Sequence, residues 1–215
     1  MHEHVLTSQF RCNGSDAFIQ WVDNTLGVAE TPVTVWEHGD PFDLDIVDTP
    51  DELAHLIRSR NTAQETARLV AGFCWPWSDP LGDGTLVNDV VVGGWQRPWN
   101  AKPTAGRLAP GIPSSNAWAI DPEGVHQVGC VYTAQGFEFD YAGVIFGPDL
   151  VWRDGIGWMG QRDVSFDRKV KSSKDAFTEL VKNTYRVLLS RGMRGCYVHF
   201  MDAETRDYVE IGRAH

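Results

Sequence analysis

Val131-Tyr132-Thr133-Ala134-Gln135-Gly136-Phe137-Glu138-Phe139-Asp140 reads as a strand, a polar turn and a short apolar run. Tyr141 to Phe146 extends that run as a buried strand. Further on, Asn183-Thr184-Tyr185-Arg186-Val187-Leu188-Leu189-Ser190-Arg191-Gly192 reads as a helix that ends by presenting an arginine. Gly195 to Met201 is then another strand, and Ala203 to Ile211 a last helix. Strands alternating with helices predict an α/β fold with a mostly parallel sheet, because each parallel pairing needs a crossover that a helix can supply.

The upstream half fits the same alternation. Ser15 is a candidate N-cap, followed by Phe18, Trp21, Val22 and Leu26 at helical spacing, and Gly27 closes that helix. Phe42 to Val47 alternates as a strand should. Thr49-Pro50-Asp51-Glu52 then combines a cap, a proline at the first helical position and a glutamate three residues after the cap. Leu53, Leu56 and Ile57 give that helix its buried stripe, and Ala67 to Cys74 is a buried strand. From Trp75 to Asn116 the composition shifts to Gly, Pro and Trp, with one apolar strand at Val87 to Val92. This stretch is expected to be a long loop-rich insertion, packed under aromatic rings or functional. Asp149 to Lys171 is polar and irregular. Ser173 or Asp175 is expected to cap the long helix that carries Phe177, Leu180, Val181, Tyr185 and Leu188, with Gly192 as its C-cap.

Composition narrows the class. With 215 residues and 42% hydrophobic content the chain can bury a real core. The net charge of -10 argues against a free-standing nucleic-acid binder with a broad basic face. The charge is uneven, however: from Arg153 to Arg194 ten Lys and Arg stand against five Asp and Glu, which leaves -15 on the rest. Cys12, Cys74, Cys130 and Cys196 form no C-x-x-C pair and read as buried thiols rather than disulfides or a zinc site. There is no secretory leader pattern and no apolar run of about 18 residues, so the expected location is the cytoplasm, away from a membrane.

Three strings in order carry a resemblance: Leu6-Thr7-Ser8-Gln9-Phe10-Arg11, then Tyr132 to Asp140, then Asn183 to Gly192. They resemble helicase motifs IV, V and VI, and in detail the Schlafen group 3-like DNA/RNA helicase domain family of superfamily 1. Arg68-Leu69-Val70-Ala71-Gly72-Phe73-Cys74-Trp75-Pro76-Trp77 and Gly192-Met193-Arg194-Gly195 are similar to that family too. The resemblance covers nearly the whole chain. It implies that residues 1–215 are a single RecA-like domain, a three-layer α/β/α sandwich with 75–116 as an insertion, forming the carboxy-terminal half of a nucleic-acid-dependent ATPase. The chain has no G-x-x-x-x-G-K-[ST] phosphate loop. The ATP-binding amino-terminal RecA-like domain is therefore expected to lie outside it and to be its partner, with ATP and Mg²⁺ held only by the intact protein. The start of the chain close to motif IV favours a fragment.

The resemblance also assigns roles. Arg11 would contact the γ-phosphate and Arg191 would be the arginine finger, an effect worth roughly 10³ to 10⁵ in rate. Gln135 and Gly136 would form the motif V turn, and Glu138 would meet the ribose or order that turn. Arg186 would support the motif VI helix or the nucleotide pocket. Tyr132 and Thr133 would lie at the edge facing DNA or RNA, with Arg162, Arg168, Lys169 and Lys171 on the nucleic-acid or interdomain face. No metal site is expected. Two other readings remain. One is a non-catalytic platform that keeps the fold to bind a protein. The other is a nuclease using Asp140, Asp149, Asp163 and Asp167 around Mg²⁺, which lacks a lysine-centred catalytic signature.

Overall fold

The computed structural model describes residues 16–36 and 41–212. In chain order the elements are α1 (Asp16–Thr25), β1 (Asp43–Ile46), α2 (Pro50–Arg60), β2 (Ala67–Ala71), β3 (Val90–Val92), β4 (Trp95–Arg97), β5 (Val128–Gly129), α3 (Val131–Ala134), β6 (Phe139–Phe146), β7 (Leu150–Arg153), β8 (Gly157–Gly160), α4 (Arg168–Lys171), α5 (Phe177–Leu189), β9 (Gly192–Phe200) and α6 (Ala203–Ile211). Five strands form one sheet in the order β1-β9-β6-β2-β5, with every pairing parallel. β3–β4 and β7–β8 are separate antiparallel hairpins. The architecture is an α/β/α sandwich of RecA-like type.

The sheet is buried on both faces, and the period of two sorts its side chains. Val70, Val144, Phe146, Cys196 and Val198 pack with Phe18, Val22, Val181, Tyr185 and Leu188 from α1 and α5. Leu69, Ala71, Tyr141, Ile145 and Tyr197 face the other way, onto Leu53, Ala54 and Ile57 of α2 and onto Trp95, Trp99 and Val125. α2 starts as its sequence demands: the Thr49 hydroxyl accepts from the Glu52 N–H at 3.1 Å and Pro50 occupies the first turn.

The 75–116 stretch is ordered by its tryptophans. Each ring buries apolar area, and most of the indole N–H groups find a backbone carbonyl, which is how a loop can afford so many of them. Trp75 donates to Val91, Trp77 to Asn100 and Trp99 to Pro76, all at 2.8–2.9 Å. Phe73 stacks on Trp99 with ring centroids 5.6 Å apart. Arg68 fixes the segment that follows the insertion. Its buried guanidinium donates to the carbonyls of Trp118, Ala67 and Asp121 and to the Asn61 side chain.

The structure corrects several expectations. Val131–Ala134 is one helical turn, not a strand, because the Thr133 hydroxyl accepts from Cys130 N–H and the Ala134 N–H bonds Cys130 O at 2.9 Å. Only Val90–Val92 of the 87–92 run pairs in a sheet, since Asp89 is turned toward Ser78, accepting from its N–H and hydroxyl. Neither Ser173 nor Asp175 caps α5, which begins at Phe177 after a separate 3₁₀ turn at Lys174–Ala176. Gly192 is the first residue of β9 rather than a helix cap, Ser190 closing the helix instead. A Cβ at Gly192 would lie 2.0 Å from the Gly195 carbonyl oxygen, so the close approach of those two backbones requires glycine. The 149–171 stretch contains the β7–β8 hairpin and α4. Cys74, Cys130 and Cys196 are buried free thiols, as expected, whereas Cys12 and Ser15 lie outside the described residues.

Candidate nucleic-acid interface and a second edge of the sheet

All five central strands run the same way, so the sheet has a carboxyl edge and an amino edge, and loops at the carboxyl edge of such sheets commonly form binding sites. Here the segments leaving β2 and β5 meet the segment entering α4. Phe73, Pro76, Trp77, Lys102, Tyr132, Phe166, Asp167, Arg168 and Lys169 line an open cleft of about 670 Å³. The Phe166 N–H donates to Phe73 O at 2.8 Å and ties two of the walls together. Asp167 is buried and fully employed. One oxygen caps α4 by accepting from the N–H groups of Lys169 and Val170, and the other accepts from the Tyr132 hydroxyl at 2.7 Å. Burial and the neighbouring Asp167 carboxylate push the Tyr132 phenol above its usual range, so it stays a neutral donor. Lys169 Nζ lies 5.6 Å from the centre of the Tyr132 ring.

The amino edge gathers a different set. Gln135, Gly136 and Glu138 are exposed between α3 and β6, with Gly136 at φ +93°, a conformation that favours glycine. Arg191 joins them across a long gap in sequence. Its Nε donates to Val187 O at 3.0 Å and one Nη to Phe137 O at 3.2 Å, while the Phe139 N–H bonds Arg191 O at 2.9 Å. Arg191 is only 3% exposed. It therefore clamps the end of α5 to the turn that precedes β6.

The remaining candidates fall elsewhere. Thr133 does not line the cleft: it is buried, and its hydroxyl donates to Asn100 Oδ1 at 3.0 Å. Arg186 pairs with Asp23 of α1 and supports α5 from its side. Arg162 is exposed and donates to the carbonyl of Lys171, the last residue of α4, and neither lines the cleft. Arg11 lies outside the described residues. The four acids of the nuclease reading do not converge. Asp140 serves the Thr66 N–H and hydroxyl at the amino edge, whereas Asp149 and Asp167 stand at the carboxyl edge. Among the described residues there is no group of three His, Cys, Asp or Glu placed to hold a metal ion. None of their helices is long and apolar enough to cross a membrane. The sequence holds no G-x-x-x-x-G-K-[ST] loop, so neither a phosphate cradle nor, among the described residues, a carboxylate cluster for Mg²⁺ is supplied.

Sequence reasoning missed Phe73, Trp77, Lys102, Phe166 and Asp167 as wall residues. The usable signal was partial: Trp75-Pro76-Trp77 is conspicuous, and Phe166-Asp167 directly precede the basic pair Arg168-Lys169.

A buried polar cluster lies just behind the cleft. Tyr185 of α5 donates its hydroxyl to Asp149 Oδ1 at 2.5 Å and accepts from the Gly147 N–H at 2.9 Å, and the Cys74 thiol bonds the same carboxylate. Burial raises the Asp149 carboxyl above its ordinary range. The folded state then keeps this proton to higher pH than the unfolded chain, whose value is about 3.9. The contribution of the site to stability is full below that value and is lost as pH rises through the folded one. Thermal melts of the wild type between about pH 4 and pH 8 should show that decline. The uncharged Asp149→Asn variant should show less of it; an unchanged pH profile would remove Asp149 as the cause.

The family comparison bears on this geometry. The model of the Schlafen group 3, DNA/RNA helicase domain matches residues 1–202. The chain belongs to that family. Membership gives this Schlafen group 3 domain a helicase-like, nucleic-acid-related character. The chain is also similar to an uncharacterized protein of Saccharomyces cerevisiae, at 24% identity over 224 residues, covering 95% of this chain and 47% of the relative. The Schlafen group 3 chain thus spans about half the length of the curated relative it matches. No solved structure matches.

Proposed function

We propose that this domain is the second α/β half of a nucleic-acid-dependent ATPase, with nucleic acid at its carboxyl edge and an ATP-bearing partner domain at its amino edge. The observation that carries the reading is the path of residues 131–139. Tyr132 stands in the carboxyl-edge cleft, and within a few residues the chain reaches Gln135, Gly136 and Glu138 at the opposite edge, where Arg191 bonds the same turn. One short segment thus touches both places that a motor must couple. The length of the yeast relative leaves room for the phosphate-loop domain that this reading requires. In that arrangement Arg191 is the arginine facing ATP, Glu138 and Gln135 adjoin the nucleotide, Arg11 assists from its own segment, and Mg²⁺ is held by the partner domain. Tyr132, Arg168 and Lys169 meet DNA or RNA, with Arg162 and Lys171 extending the basic rim.

The test is ATP turnover by a longer polypeptide that carries this domain together with its phosphate-loop domain, measured with and without oligonucleotide. Turnover stimulated by DNA or RNA is expected, and the 215-residue chain alone should show none. Turnover by the longer polypeptide that ignores both polymers would overturn the reading and favour a protein-binding platform.

A further inference from the structure

We infer that Asp149, Tyr185 and Cys74 form a proton-operated latch behind the carboxyl-edge cleft: while the carboxyl is neutral the latch ties α5 to the segments that leave β2 and β6, and once it is ionised the wall at Phe73 is free to open. The inference makes no use of the nucleic-acid reading. It concerns what holds the wall, whatever the cleft takes.

Three segments converge on one carboxylate. Tyr185 of α5 is fully buried and holds Asp149 Oδ1 at 2.5 Å, and Cys74, beyond β2, gives its thiol to the same group. The backbone is drawn in as far as glycine permits. A Cβ at Gly72 would lie 1.9 Å from the Tyr185 hydroxyl oxygen, and one at Gly147 would lie 2.5 Å from Cys74 Sγ. The Phe146 ring lies on that of Tyr185 with centroids 3.7 Å apart, which fixes the phenol in place. From this cluster the cleft is one residue away. Phe73 precedes Cys74, its ring meets Trp77, Trp99 and Tyr132, and its carbonyl takes the Phe166 N–H. On the other side, Asp149 O accepts the Gln161 N–H at 2.8 Å, at the start of the segment that leads to Phe166. Loosening at Asp149 therefore reaches both walls.

The surroundings favour the neutral acid. α5 presents the Tyr185 phenol and the segment after β2 the Cys74 thiol, both pushed well above their ordinary ranges and so uncharged. The segment before α4 presents Asp167, a second carboxylate. Among the described residues every ion pair is made by some other acid, so no cation offsets a charge on Asp149. The two donors ease that charge, and burial outweighs them. Hydrating an ionised Asp149 requires the three segments to part. A closed latch keeps its proton to higher pH than an open, hydrated carboxyl, which titrates near about 3.9. The closed form is thus fully favoured below that value. As pH rises, opening becomes easier by up to about tenfold per pH unit, and the gain levels off once the folded value is passed.

Hydrogen–deuterium exchange of the 215-residue chain tests this, read by mass spectrometry on peptides covering 72–77, 143–149 and 161–167. The window is about pH 4 to pH 8, with rates corrected for the intrinsic pH dependence of exchange. Protection of the three peptides should fall together as pH rises, while peptides from β1 and α2 keep theirs. Asp149→Asn, neutral at every pH and still an acceptor for Tyr185, should remove the pH dependence. Tyr185→Phe keeps the ring stack and drops the hydroxyl. It should lower protection of all three peptides at every pH, roughly 5- to 100-fold for the buried bonds it leaves unmade. If Asp149→Asn does not fold, as judged by circular dichroism, the wild-type slope and Tyr185→Phe still decide. Flat wild-type protection, an Asn variant with the wild-type slope, or a Phe effect confined to the Gly147 amide would each overturn the latch. So would a fall shared by β1 and α2, which assigns the pH effect to unfolding of the whole chain. None of these readouts involves ATP or a polymer, so the latch and the proposed function fail separately.

Discussion

Replacing Arg68 with alanine is expected to cost about 3–5 kcal/mol of folding stability, read from urea or guanidinium denaturation of the chain. The size follows from what the side chain does. Arg68 is fully buried on β2, in the middle of the sandwich, and donates to four acceptors: Trp118 O, Ala67 O, Asp121 O and Asn61 Oδ1, at 2.6–2.9 Å. Three of these are main-chain carbonyls, one on β2 itself and two in the segment after the insertion. Burial without a contacting carboxylate lowers the guanidinium to about 10, yet at neutral pH it stays charged and its donors stay in use. Alanine removes the donors, strands the acceptors away from water and opens a cavity, and these costs compound. Arg68→Met separates them. It restores much of the volume but supplies no donor, so a loss nearly as large as that of alanine shows that hydrogen bonding dominates. A near-neutral Met variant would instead assign Arg68 to packing.

The contrast between Arg68 and α2 shows what the sequence makes legible. Thr49-Pro50-Asp51-Glu52 announces a helix because every group that starts it lies within four residues. The buried strands β6 and β9 are legible for the same reason: their apolar runs are local and uninterrupted. Val131–Ala134 reads as a strand because its β-branched and aromatic side chains favour one, yet the bonds from Thr133 to Cys130 and Asn100 hold a helical turn. Asn100 comes from the insertion, and nothing near Val131 encodes it. The cleft is harder still. Phe73, Lys102, Tyr132 and Phe166 are far apart in sequence, and only the sheet order brings β2 beside β5 and places their loops together. The motif-like strings indicated which residues to watch. They did not indicate that Gln135 to Glu138 and Tyr132 would part to opposite edges, or that Thr133 would turn inward.

On the proposed function, Arg191→Ala in a polypeptide that joins this domain to a phosphate-loop domain is expected to lower ATP turnover by roughly 10³-fold or more. Arg191 also has a structural task, and the experiment must separate the two. The guanidinium uses Nε and one Nη on the carbonyls of Val187 and Phe137, so it locks α5 to the turn before β6. Loss of that clamp alone predicts a lower melting temperature and a modest fall in turnover that tracks the folded fraction. An arginine that also meets charge developing on ATP predicts something else. Turnover collapses while nucleotide affinity and the folded fraction at assay temperature change little, because the interaction strengthens only as charge builds. Arg191→Lys keeps the charge but not the fork, so it should recover part of the stability and little of the turnover. Its location makes the dual role physically reasonable. A guanidinium held on two backbone carbonyls at the junction of α5 and the Gln135–Glu138 turn shifts only when that junction shifts, and the same turn leads back through α3 to Tyr132 in the cleft. A variant whose turnover loss equals its loss of folded protein would reduce Arg191 to the clamp, and with it would go the claim that this edge faces a nucleotide.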